Sequence, residues 1–380
     1  MIQLSNDALK YLCVDRSVGS AGEKRFLGYI KRKTAELGIQ PEQDSFSFCA
    51  AILESAQLQF GAEIISCNAY PCTRITEEDG LSGKLLYIPR ISEVRYLDIE
   101  RAIVLTDDEF NDYSKELLSA GGAAGVITHR EDRLQQGASS VRFLPQEPSS
   151  DTLTAIELQT SDALRLLRSK VENVQILTRA RKQIFSAENL CALLPGQDHS
   201  REIVICAHYD TVPLTAGAVD NLSGSLILLY LLDMLISKTP RTDIRFCWFG
   251  AEEWGYAGSR HYVSKADALV NKISCAINID SADCILGFDE LYYCCSNSSC
   301  LEQLSIPATG LRTLEQVYGG DNRPFQEIGI DTLTFSRGGK YIRTLIHTKN
   351  DTLENAVITD SSLRFAAQRI LRIISPLIYG

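Results

Sequence analysis

The 380-residue sequence has no concentrated run of basic residues, and its formal charge is −10. Phosphate recognition needs a clustered basic face, so a nucleic-acid groove is excluded. The opening MIQLSNDALKYLCVDR lacks the basic start, continuous apolar middle and small-residue cleavage site of a secretory signal. The expectation is a cytoplasmic protein whose mature form begins at Met1. A membrane span is also not found: the most apolar run, LSGSLILLYLLDMLIS at 222–237, is too short and carries Asp233. It is expected as a buried helix. The 12 cysteines lack the spaced CxxC pairs of a zinc site. They are expected as thiols, with Cys206 and Cys247 acting as small hydrophobes in apolar runs and Cys294, Cys295 and Cys300 having a structural role. Repeats and low-complexity segments are absent.

What remains is a globular composition, 45% hydrophobic and 23% charged. The length favours two domains or one domain with a large insertion. SAGEKRFLGYIKRKTAELG at 20–38 places Phe26, Ile30 and Leu37 at helical spacing and ends on a C-capping Gly38. From about 181 onward, strand-like EIVICAH, DIRFCWFG and SCAINID alternate with helix-like SGSLILLYLLDML and SRHYVSKADALV. That rhythm predicts an α/β fold with crossover helices. Residues 75–180 have a different rhythm of short strands, GKLLYIPR, RAIVLTDD, GAAGVITH and TAIELQ, with helix-like YSKELLSAG and SDALRLLRSK beside the last two.

Acids and histidines collect at the predicted strand ends. In VICAHYDTV, His208 and Asp210 are two residues apart, which on a strand puts both side chains on one side, so that Asp210 can orient the His208 ring. The same pair also fits a strand-end hydrogen bond with no site. Asp220 in TAGAVDNLSG precedes an apolar helix, where a plain helix cap is the competing reading. Adjacent Glu252 and Glu253 in AEEWGYAGS repel unless a positive charge or a shared proton relieves them, although a solvated loop is the bland alternative. Consecutive side chains diverge, so one acid can reach metal while its neighbour faces substrate. Asp280 ends AINIDS, at the edge where α/β sheets collect ligands, and LIHTKNDTLEN supplies His347 with Thr348 and Asp351 beside it. Of five histidines, His129, His199 and His261 fall in polar segments and are expected at the surface.

In order, HYDT, GAVDNLSG, AEEWGYAGS, NID and HTKNDTLEN resemble the zinc aminopeptidase family typified by bacterial leucyl aminopeptidases, zinc peptidase family 28. RSVGSAGEKRF and NLCALLPG match as well, so the likeness covers about 1–70 and 181–380. It implies a catalytic domain of 1–74 and 181–380, a mixed, mainly parallel sheet flanked by helices, interrupted by a smaller β-rich α/β domain at 75–180. SAGGAAGVITHRE and TAIELQTSDALRLL in that insert resemble the protease-associated domain. Residue by residue, the family implies Asp220 bridging two zinc ions, His208 and Asp280 completing one site, and Glu253 and His347 the other. Glu252 is then the general base toward a metal-bridging water. His and carboxylate donors suit zinc, and also accept cobalt or manganese. The implied substrate is a peptide with a free N-terminus.

Two segments depart from the family. Its serine–aspartate–histidine pocket segment stands here as GGDNRPF with Asp321 retained, and Tyr318 resembles a tyrosine that stabilises the tetrahedral intermediate, displaced by one residue. Both are candidate substrate-binding residues. FSRGGK at 335–340 is expected as a pocket loop. Two rival readings are a single-zinc glutaminyl cyclase, opposed by DNLSG and by Ile346 where the cyclases carry tryptophan, and a binding protein on an inactive peptidase scaffold, opposed by the retention of all five ligands.

Overall fold

The computed structural model describes residues 2–70, 74–108, 110, 112–130, 153–265, 272–295 and 299–380. Among these, 1–48 with 185–380 form one compact unit and 49–130 with 153–184 form another.

In the first unit, α1 (Ala21–Glu36) begins where the Ser20 side chain accepts the Glu23 N–H. It ends before Gly38, whose φ of +82° is a conformation glycine reaches without strain. Seven strands follow in chain order: β1 (Asn173–Leu194, from Phe185 in this unit), β2 (Asp198–His208), β3 (Thr242–Phe249), β4 (Ile273–Ile279), β5 (Phe288–Cys294), β6 (Leu311–Glu315) and β7 (Thr332–Gly338). They lie side by side as β6-β5-β7-β4-β2-β3-β1. The centre, β7-β4-β2-β3, is parallel, while β1 and β5 run antiparallel to their neighbours β3 and β7. The expected mixed, mainly parallel sheet is present.

Parallel strands need both faces covered, which explains their apolar sequences. Helix α2 (Gly224–Leu235) supplies part of one cover and packs on α3 (Asp360–Tyr379) and β2. The segment Ala218–Leu235 is long and apolar enough to cross a membrane by length and composition alone, yet Leu226 to Leu232 are all buried in the core. A helix apolar on every side is what such a position requires.

Glu23, in the first turn of α1, is buried and accepts the Gly19 N–H at 2.6 Å and the Tyr209 hydroxyl at 3.3 Å. Burial pushes its pKa from 4.5 up to about 7. Between those values the folded chain keeps a proton that the unfolded chain releases, so Glu23 weakens the fold as pH rises through this window. Glu23→Gln is expected to raise Tm relative to the parent more at pH 8 than at pH 5. Equal differences at the two pH values would refute this.

In the second unit, Leu81–Tyr87, Ile103–Leu105, Gly125–Arg130 and Thr154–Gln159 form a parallel series, with Asn68–Ala69 antiparallel at its edge. Helices Asp112–Ala120 and Thr160–Ser169 accompany the later strands, as the sequence suggested. The N-terminal division falls at residue 49 and not at 75. Leu58, Phe60 and Ile65 share a core with Ile103, Leu105 and Ile127, which draws 49–74 into this unit.

The ten described cysteines are all free thiols, with Cys206 and Cys247 buried. The side chain of Cys300 lies outside the described residues. His129, expected at the surface, is half-buried, with Asp107 at 2.9 Å and Thr160 at 3.0 Å from its ring nitrogens. FSRGGK is mostly strand, since β7 runs through Gly338.

Candidate metal centre

Three adjacent parallel strands deliver the site. His208 is the last residue of β2, Glu252 and Glu253 stand just beyond β3, and Asp280 follows β4 directly. Asp220 enters from the turn before α2, and His347 from the segment after the short helix Lys340–Leu345. Ala251, Ser281 and His347 have φ of +57°, +51° and +58°, so non-glycine residues hold left-handed conformations at three points of the site. Such strain collects where surrounding structure must fix functional side chains.

Asp220 is the centre of the arrangement. Its Oδ1 is 3.1 Å from His208 Nε2 and its Oδ2 is 3.0 Å from His347 Nε2. Asp280 Oδ1 is 3.7 Å from His208 Nε2, and Glu253 Oε2 is 3.2 Å from His347 Nε2. Two triads result, His208–Asp220–Asp280 and Asp220–Glu253–His347, each with donor atoms within 4.8 Å of one another. Glu252 belongs to neither, its Oε2 lying 4.0 Å from His208 Nε2.

Burial alone would raise the Asp220 carboxyl, but the His208 and His347 rings hold it well below its usual range. Those rings are drawn well above the ordinary imidazole range despite burial, His208 first by Glu252 and His347 first by Glu253. Burial raises Glu252, helped by the charges of Glu253, Asp321 and Asp280 against the lowering effect of His208. Glu253 Oε1 is buried with no hydrogen-bond partner. Crowded carboxylates around two imidazoles, one donor oxygen unmet, fit a pair of divalent cations with mixed N and O ligands.

The supports of the site are mostly backbone contacts. Asp210 stands beside the His208 ring, its Oδ1 3.6 Å and its carbonyl 3.2 Å from Nδ1. The carboxylate also accepts the Glu252 N–H at 3.0 Å and the Glu253 N–H at 3.2 Å. It therefore anchors the acid pair. Asp351 does the same for the Asp220 turn, accepting the N–H groups of Val219 at 2.7 Å and Asp220 at 3.0 Å. Arg16 is completely buried and donates to the carbonyls of Tyr209, Ala216 and Gly217, fixing the loop that leads to Asp220. Neither Asp351 nor Arg16 was recognised as a support in the sequence.

Asn221 closes the turn, donating to the Ile279 carbonyl at 2.9 Å and accepting from Gly224 and Ser281 N–H. A Cβ at Gly224 would stand 2.3 Å from both Asn221 Oδ1 and the Ile279 carbonyl. Gly224→Ala is expected to cost about 2 kcal/mol or more and to lower metal content, because the clash falls on backbone that cannot give way. Thermal unfolding with metal analysis checks it. A silent substitution would contradict this packing.

Tyr318 packs its ring against Tyr292 at 4.9 Å and has its hydroxyl 3.4 Å from Ser336 Oγ. Gly320 stands next to Asp280, so this loop borders the site. Asp321 is fully buried: Oδ1 accepts from Ser259 at 2.6 Å, Oδ2 has no partner, and burial pushes its pKa up to about 7. It props the loop from beneath.

Residues 189–374 match the model of Peptidase family M28. The chain is 24% identical over 364 residues to aminopeptidase YwaD of Bacillus subtilis, covering 90% of this chain and 76% of that one. It is 25% identical to the "Probable lipoprotein aminopeptidase LpqL" of Mycobacterium tuberculosis, covering 70% of this chain and 54% of that one. Among solved structures, an aminopeptidase from Aneurinibacillus sp. strain AM-1 shares the fold with a TM-score of 0.71 at 19% identity, over 98% of this chain and 93% of that one. The zinc aminopeptidase BSAP from Bacillus subtilis does so with 0.68 at 23% identity, over 98% and 94%. Residues 189–374 of this chain thus carry the likeness to Peptidase family M28.

Proposed function

We propose that this protein is a zinc aminopeptidase of that family, removing the N-terminal residue of peptides at a two-metal centre. His208, Asp220 and Asp280 would hold one zinc, and Asp220, Glu253 and His347 the other. When bound, the metals would supply Lewis-acid activation of water and of the scissile carbonyl. Glu252 takes the proton of the attacking water and returns it to the leaving amine. Asp210 keeps Glu252 and Glu253 apart and correctly aimed through their N–H groups.

The observation that carries this reading is the division at Asp220, one oxygen toward each imidazole, with Glu252 adjacent and outside both triads. A structural ion cluster would not need the spare acid. The test is metal analysis together with hydrolysis of a panel of aminoacyl anilides. About two zinc equivalents per chain and release of the free amino acid are expected. One equivalent with pyroglutamate formation from N-terminal glutamine would favour the cyclase, and zinc-replete protein without turnover would favour a binding role. The protease-associated-like character of the inserted domain is part of the proposal, supported by its parallel strands and by the helix Thr160–Ser169 directly after Thr154–Gln159.

A further inference from the structure

The turn that carries Glu252 and Glu253 ends on Tyr256, which takes no part in either triad. Tyr256 holds a φ of +62°, directly after Gly255 at +76°, and stands at the start of the helix Ala257–Ser264. A left-handed conformation at a bulky residue is strained and persists only where the surrounding structure fixes it. Its N–H donates to the Glu252 carbonyl at 2.8 Å. Arg260 lies over the ring at 6.0 Å and is itself held by both oxygens of Glu327, at 2.7 and 3.1 Å. One end of the residue is thereby tied to the proposed base, and the ring is held from one face.

The other end reaches the pocket loop. A Cβ on Gly319 would stand 3.6 Å from the Tyr256 hydroxyl, and one on Gly320 would stand 3.0 Å from Asp280 Oδ2. The ring therefore spans from the acid-pair turn to the loop that borders Asp280. Burial and the charge of Glu252 push the hydroxyl well above the ordinary tyrosine range, with Asp321 and Asp280 adding and Arg323 opposing, so it keeps a proton to donate. Among the described residues this hydroxyl has no hydrogen-bond partner, and Tyr256 is only partly buried. Tyr318 differs, since its hydroxyl already meets Ser336. A donor with no protein acceptor, open to solvent and standing beside the base, is placed to meet substrate.

We propose that Tyr256 is a further substrate-binding residue, its hydroxyl donating to the carbonyl oxygen of the second residue of a peptide substrate. This rests on the two-metal aminopeptidase reading. There Glu252 returns its proton to the leaving nitrogen, so the substrate continues past Glu252 into its second residue. The first acceptor beyond that nitrogen is the carbonyl of the second residue. Tyr256, bonded to the Glu252 backbone and with its hydroxyl unclaimed, supplies a donor on that side. A site that hydrogen-bonds one group of a substrate disfavours analogues lacking it. Peptides are therefore favoured over amides and anilides that end at the leaving nitrogen.

In the zinc-loaded Glu252→Gln protein, where turnover is suppressed, leucylglycinamide is expected to bind about tenfold more tightly than leucine N-ethylamide, which stops before that carbonyl. Adding Tyr256→Phe should erase the difference. Phenylalanine keeps the ring and deletes only a hydroxyl without a protein partner, so the unfolding temperature should move little. In the parent background, Tyr256→Phe should lower kcat/KM for leucylglycinamide, relative to that for leucyl anilide, by about tenfold. Equal binding of the two ligands, or a difference that survives Tyr256→Phe, overturns the assignment. So does a loss that falls equally on peptide and anilide, which would make Tyr256 a support of Glu252 instead. A parent protein that hydrolyses neither compound while the Tyr256-dependent binding difference stands refutes the aminopeptidase reading alone. Hydrolysis of the anilide without that difference refutes the role of Tyr256 alone.

Discussion

Glu252→Gln is expected to lower kcat by about a thousandfold or more while both metal equivalents remain. Glutamine fills the same space, and its backbone N–H can still reach Asp210 at the 3.0 Å seen for Glu252. Because Glu252 stands outside both triads, the five proposed ligands keep their positions. What is lost is a group able to take a proton. KM should change little, since the loss concerns the transition state and not the bound substrate. Elemental analysis beside steady-state kinetics on an aminoacyl anilide separates this from a structural effect. If the variant kept a tenth of the parental kcat, Glu252 would not be the base.

Asp210→Ala should be nearly as damaging to activity and far more damaging to the fold. Two buried N–H groups, those of Glu252 and Glu253, would lose their acceptor at once, at a cost of about 1–3 kcal/mol each. The turn at Ala251 would lose the tie that holds its left-handed conformation. Both acids would then drift, Glu253 from His347 and Glu252 from substrate, so metal content and kcat should fall together. Asp210→Asn retains one acceptor and should fall between parent and Ala. Had Asp210 acted only by orienting the His208 ring, the alanine variant would lose metal affinity at one site and leave the unfolding temperature nearly unchanged. A combined loss of stability, metal and rate is the signature of an anchor for the acid pair.

The difference between those outcomes shows where sequence reading reached its limit. His208, Asp220, Glu253, Asp280 and His347 each had a bland reading alone and could be picked out only because their motifs stand in the order of the family they resemble, and the structure brings all five together. The anchoring role of Asp210 was not legible, because Glu252 and Glu253 meet it only across neighbouring strands and lie far along the chain. Its carboxylate reaches the neighbouring strand end while its Oδ1 stays 3.6 Å from the His208 ring. Asp351 and Arg16 gave no signal of their role for another reason: their partners are backbone N–H and C=O groups, which every residue offers. The strand-like residues 49–74 carried an apolar pattern that could join either unit, and only contacts with Ile103 and Ile127 decide it.

The position of Asp220 between two histidines that stand far apart along the chain has a consequence for how the protein matures. The first triad needs β2 and β4 side by side, and the second needs His347, which follows β7. A growing chain that has finished β4 can therefore assemble one half of the centre, but the other half must wait. During that interval Asp220 and Glu253 are present without His347, an acidic hollow with one cation's worth of ligands. On the proposed two-metal reading, the His208 side draws its ligands from residues 208–280, whereas the His347 side is complete only once the chain beyond β7 is in place.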